Sequence, residues 1–127
     1  MTQMTYTEAM FNSGTPFDNP YQGKDKRVLF VCSAGLLRSA TAARIYAKKY
    51  NTRAVGSESY ALIPITHELL LWANEVVFVN RENYETVAKN FDLVDFPCLV
   101  KVLDIPDQYE HMHPKLIEAF KEQYEDF

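Results

Sequence analysis

Val28-Leu29-Phe30-Val31-Cys32-Ser33-Ala34-Gly35-Leu36-Leu37-Arg38-Ser39 is an apolar run, a short loop and the start of a helical period, in that order. The run has no polar alternation, the pattern of a central parallel strand covered on both faces. Beyond it Leu36, Ala40, Ala43, Ala47 and Tyr50 recur at helical spacing and leave Arg44, Lys48 and Lys49 pointing outward. Strand, tight loop, helix is the unit, and it repeats. Arg53 to Ser57 reads as a second short strand, and Pro64 followed by Thr66 opens a helix with Leu69, Leu70 and Ala73 inward. Glu75 to Val79 reads as a third strand, after which Asn80 caps a helix whose inner face is Tyr84, Val87, Ala88 and Phe91. Leu99 to Leu103 supplies the fourth strand. Pro114 suits a first helical turn, with Leu116, Ile117, Phe120 and Tyr124 as the buried stripe of a terminal helix. Alternation with short connections predicts an α/β fold, a three-layer αβα sandwich on a four-stranded parallel sheet with right-handed crossovers.

The 127 residues suit one domain with its own core. Residues 1–26 carry Thr, Asn, Gly, Pro and Gln without a sustained period, and read as an irregular N-terminal extension ahead of a single domain, 27–127. The extension's aromatics, Tyr6, Phe11, Phe17 and Tyr21, leave two readings open: docking on the domain or a partner, or a mobile leader. Net charge of -4 argues against sequence-independent nucleic-acid binding, which needs a basic face. No apolar stretch approaches a membrane span and the start lacks a signal-peptide pattern, so the expectation is a cytoplasmic protein with no membrane partner. Two cysteines do not make a disulfide framework, and thiol chemistry stays open.

Cys32 ends the first strand, and ligands of parallel sheets bind beyond the carboxyl ends of the strands. A thiol acts as nucleophile in its thiolate form, which neighbouring cations, hydroxyls and helix N-termini favour. All three are offered by Arg38, Ser39 and the helix start. Arg38 can hold two oxygens of a tetrahedral anion through its planar fork, and Gly35 permits the positive φ of a loop curled around an anion. The site fits phosphate, sulfate or arsenate. The plainer reading, an inert buried thiol, gives Arg38 no task at the edge of a core.

Val31-Cys32-x5-Arg38-Ser39 resembles the phosphate-binding loop of the low-molecular-weight protein tyrosine phosphatases, and Asp104-Ile105-Pro106-Asp107-Gln108-Tyr109 resembles that family's Asp-Pro-Tyr stretch. Gly56-Ser57 and the helix-to-strand order from Thr66 to Asn80 also follow it, so the likeness covers about residues 27–127. The resemblance implies a phosphotyrosine protein phosphatase I-like fold and a cysteine-dependent hydrolase of phosphorylated proteins or aryl phosphates, with neither cofactor nor metal. Cys32 would be the nucleophile and Asp107 the general acid, with Asp104 as the competing carboxylate at the strand end. Arg38 would hold phosphate with Ser33, Ala34, Gly35, Leu36, Leu37 and Ser39, and Tyr109 and Tyr60 would wall an aromatic substrate, although Tyr60 also fits a packing role. Ser57 is either the family's loop brace or a turn serine.

The chain departs from the family at several positions. Gly35 stands for a loop asparagine, so loop rigidity must come from elsewhere. Leu37 stands for a frequent second cysteine, Ala40 for a proline, and the segment from Ser57 to Thr66 is shorter. Two other readings follow: a phosphate- or phosphopeptide-binding module without turnover, and an arsenate reductase-like enzyme in which Cys98 would join Cys32. Otherwise Cys98 is a structural thiol. His111-x-His113 reads as loop and helix cap, His67 as helix surface, and Trp72 and Phe78 as core.

Overall fold

Arg27–Cys32 forms the first strand, β1, and its side chains alternate between two separate cores. Val28, Phe30 and Cys32 face one and Leu29 and Val31 the other, which is why the run carries no polar position between them. The computed structural model describes residues 22–125, so the readings on Tyr6, Phe11, Phe17 and Tyr21 lie outside it. Eight further elements of helix and strand follow: α1 (Arg38–Ile45), β2 (Asn51–Gly56), α2 (His67–Trp72), β3 (Glu75–Phe78), α3 (Arg81–Asn90), a 3-10 turn (Leu93–Asp95), β4 (Leu99–Val102) and α4 (Pro114–Gln123).

All strands run parallel in the order β2-β1-β3-β4, with Val28 opposite Thr52 and Glu75, and Glu75 opposite Leu99. On one face α1 and α4 bring Ala42, Ala43, Tyr46, Leu116, Phe120 and Tyr124 onto the sheet. Phe30 sits at the centre of that layer, 6.0 Å from the Tyr46 ring, 5.5 Å from Tyr124 and 6.3 Å from Phe120. On the other face α2 and α3 bring Leu69, Leu70, Trp72 and Val87 against Val55, Val76 and Phe78. The result is a three-layer α/β sandwich, as the alternation predicts.

The caps explain where helices begin. Thr66 accepts a hydrogen bond from the Leu69 N–H at 3.2 Å and Asn80 from the Glu82 N–H at 3.0 Å, each satisfying an orphan donor of a first turn. His113 does the same for Lys115 ahead of Pro114, so the His111-x-His113 pair divides into a loop residue and a helix cap. Three readings need correction. α1 stops at Ile45 rather than Tyr50, and the Ala47 carbonyl accepts from the Gly23 N–H at 2.8 Å. Leu36 precedes α1 and is exposed, and Ala88 is exposed while Asn83, on the first turn of α3, is buried. Gln22 belongs to the packed body: its amide accepts from the Thr52 N–H at 2.7 Å and donates to the Thr52 hydroxyl at 3.2 Å. Among the described residues no helix is long and apolar enough to cross a membrane.

Candidate functional site

The chain leaves β1 toward α1 on one face and leaves β3 toward α3 on the other, and β1 and β3 are neighbours. A parallel sheet opens a crevice at such a reversal, at the carboxyl ends of its strands. The loop from Cys32 to Arg38 lies there. Gly35 has φ of 76°, and a Cβ on it would stand 2.8 Å from the Val55 carbonyl carbon, so glycine is required both for the turn and for the close approach to β2. The loop curls back on its own sulfur: the Gly35 N–H donates to Cys32 Sγ at 3.2 Å, and the Ser39 hydroxyl lies 3.0 Å from it. Negative charge on that sulfur therefore has two donors at hand.

Arg38 is buried and reaches three ways. Nη1 donates to the Ile105 carbonyl at 2.9 Å, and Nη2 donates to the Ser33 hydroxyl oxygen at 3.3 Å. Nε is buried without a hydrogen-bond partner among the described residues, and Asp107 Oδ1 stands 3.7 Å from it, within ion-pair range but beyond hydrogen-bond reach. One nitrogen thus fastens the loop after β4, while the fork formed by Nε and Nη2 is held by nothing stronger than the long contact to Ser33. Two oxygens of a tetrahedral anion match such a fork. Asp107 itself is 64% exposed, so its carboxylate overhangs the buried guanidinium from the solvent side. Asp104 is exposed just past the end of β4, where its backbone N–H and C=O pair with the Gln123 side chain at 2.6 and 3.0 Å.

The rigidity that Gly35 does not supply comes from Asn83. Its amide donates to the Ser33 hydroxyl and to the Ser57 hydroxyl, both at 3.1 Å, and joins the loop to the end of β2. Ser57 is therefore a brace, and its own N–H donates to the Cys32 carbonyl at 2.7 Å. Asn83 Oδ1 is buried without a partner among the described residues. The sequence pattern hid Asn83, because an asparagine on a first helical turn reads as a solvated position; the clue was topological, since the turn after β3 must lie beside the loop after β1.

Leu36 and Leu37 are exposed at the loop's rim, and Tyr60 is 72% exposed on the segment after Ser57. Ala34 is half-buried. Tyr109 is partly buried, packed against the α1/α4 core with its ring 5.7 Å from His113. Cys98, half-buried, immediately precedes β4 and so lies at the amino end of the sheet, opposite the end that carries Cys32. Burial pushes its thiol above the ordinary range. The two thiols are not brought together. His111 is held below its ordinary range by burial and by the charge of Arg44, against a hydrogen bond to Leu37 that favours protonation.

Comparison with protein-family models, with curated proteins and with solved structures returned no match.

Proposed function

We propose that the chain is a cysteine-dependent phosphomonoester hydrolase of the low-molecular-weight protein tyrosine phosphatase kind, acting on an aryl phosphate, with a protein phosphotyrosine as the favoured class. The observation that carries the reading is Arg38. Its Nε is buried, without a hydrogen-bond partner among the described residues, within the same loop as the Cys32 sulfur and 3.7 Å from the carboxylate of Asp107, a residue far along the chain. A buried polar atom without a partner points to a ligand, and a guanidinium fork selects an oxyanion.

In the reaction that this arrangement supports, the Cys32 thiolate attacks phosphorus in line with the leaving oxygen. The S–P bond forms as the P–O bond breaks, and the protonated Asp107 gives its proton to the departing oxygen. Arg38 and the loop N–H groups hold the equatorial oxygens while charge redistributes among them. Water then attacks the phosphocysteine; Asp107, now a carboxylate, takes a proton from that water, the S–P bond breaks, and orthophosphate leaves with the thiolate restored. Gly35 and Ser39 hold the sulfur, and Asn83 with Ser57 holds Ser33.

The test is turnover of p-nitrophenyl phosphate by the full chain. Wild-type protein is expected to hydrolyse it, Cys32→Ser to have no measurable activity, and Asp107→Asn to lose about 10²-fold or more, the usual contribution of a general acid. A folded wild-type protein that binds orthophosphate but turns nothing over would replace the enzyme with a phosphate-binding module.

A further inference from the structure

Thr41, in α1, is fully buried, and no step above uses it. Its hydroxyl donates to the Leu37 carbonyl at 2.8 Å, and its oxygen accepts from the Met112 N–H at 2.8 Å. His111 Nδ1 lies 3.4 Å from the same oxygen. Met112 is the one non-glycine residue with a positive φ among the described residues, at 61°. That conformation is strained for an L side chain, and it persists where the surroundings hold the backbone in place. The hydrogen bond to Thr41 is such a hold.

The segment between β4 and α4 is thus fastened to α1 at two points. Arg38 holds it by the Ile105 carbonyl, and Thr41 holds it by Met112 and His111. Asp107 lies between the two anchors, exposed and in long contact with Arg38. Arg38 and Thr41 are three residues apart on the first turn of α1, so both anchors move with the turn that carries the guanidinium.

Building on the phosphatase reading, we propose that Thr41 is a positioning residue that sets the reach of Asp107 toward the leaving oxygen. Thr41 touches neither phosphate nor the leaving group. It closes the second end of the acid's loop, so that the carboxyl is presented at a fixed height above the Arg38 fork. Loss of the hydroxyl frees the Met112 end of the loop, leaving it held at Ile105 and by the packing of Tyr109, and the carboxyl then samples positions from which its proton does not reach the leaving oxygen.

Leaving-group dependence separates this role from a merely structural one. Phenyl phosphate needs a proton on its leaving oxygen, whereas 2,4-dinitrophenyl phosphate departs without one. With Thr41→Val in the full chain, kcat on phenyl phosphate is expected to fall about tenfold, part of the general-acid contribution, while kcat on the dinitro substrate stays within about twofold. Thr41→Ser keeps the hydroxyl and is expected to restore the phenyl phosphate rate. Equal losses on both substrates, no loss on either, or failure of Thr41→Ser to rescue would each overturn the proposal. Where Thr41→Val does not fold, Thr41→Ala is used with amide hydrogen exchange: faster exchange across residues 105–113 with α1 unchanged supports the anchor, and unchanged exchange overturns it. Wild-type protein without turnover would remove the phosphatase reading and this role together; an active wild type with an indifferent Thr41→Val would remove the role of Thr41 alone.

Discussion

The two ends of the sheet both bury a guanidinium, and they treat it in opposite ways. At the amino end Arg53 is fully buried, donates to Asn51 at 2.6 Å, to the Thr52 carbonyl at 2.8 Å and to Gln22 at 3.1 Å, and lies 4.9 Å from the Trp72 ring. On the opposite face of the same end Glu75 is buried under the Tyr124 hydroxyl at 2.5 Å, Lys101 at 3.0 Å and Lys26 at 3.3 Å. At the carboxyl end Arg38 keeps a charged nitrogen without a hydrogen bond and Asn83 keeps an amide oxygen without one; the amino end's only such atom among the described residues is the neutral indole N–H of Trp72. A closed polar network fixes a core, whereas an incompletely paired one has capacity left for a ligand. The difference teaches which end is scaffold and which end is site.

The largest expected effect tests the scaffold. Arg53→Ala removes the hydrogen bonds donated to Gln22, Asn51 and Thr52 and opens a cavity, and is expected to cost about 3 to 5 kcal/mol in urea unfolding, with turnover per folded molecule unchanged. A loss below about 1 kcal/mol, a surface-like value, would break the contrast between the two ends. Next comes the site's capacity for an anion. Orthophosphate at a hundred times its dissociation constant should stabilise the wild type by about 2.7 kcal/mol, read as a raised unfolding midpoint. Arg38→Met is expected to abolish that gain; a gain that survives would place the anion elsewhere.

The smallest effect sharpens the scaffold's electrostatics. Burial by itself would raise the Glu75 carboxyl, but the hydroxyl of Tyr124, the hydrogen bond of Lys101 and the charge of Lys26 outweigh it and hold the group below its ordinary value of 4.5. The folded state thus releases this proton more readily than the unfolded chain. Its contribution is complete above about pH 4.5 and is lost as pH falls through the lower folded value. Glu75→Gln should cost about 1.5 kcal/mol at neutral pH, the scale of hydrogen bonds to a charged group, and should flatten the acid limb of stability against pH. An acid limb as steep as the wild type's would remove Glu75 as its source.

Much of the fold was legible. The unbroken run from Val28 to Cys32 is buried on both faces, and Thr66 and Asn80 cap the helices they precede. Leu36 and Ala88 were misplaced because periodicity gives spacing without phase: α1 begins later than the apolar period, and α3 turns Asn83 inward in preference to Ala88. Half of the candidate site was legible too, since Cys32, Gly35, Arg38 and Ser39 sit within one local turn. Asn83, Thr41 and the Ile105 carbonyl were not, because each acts on a partner that the chain reaches only after a crossover or a long loop.

By itself the sequence determined a strand that ends on a thiol, a glycine where the loop must bend, and a helix start that carries a guanidinium, because these depend on residues within one turn of each other. Only the tertiary structure decided what surrounds them. The reversal between β1 and β3 brings Asn83 to the loop, and the fastening of residues 105 to 112 onto α1 brings Asp107 to 3.7 Å from Arg38. Sequence spacing does not encode those distances; the packing of two helical layers on one sheet does.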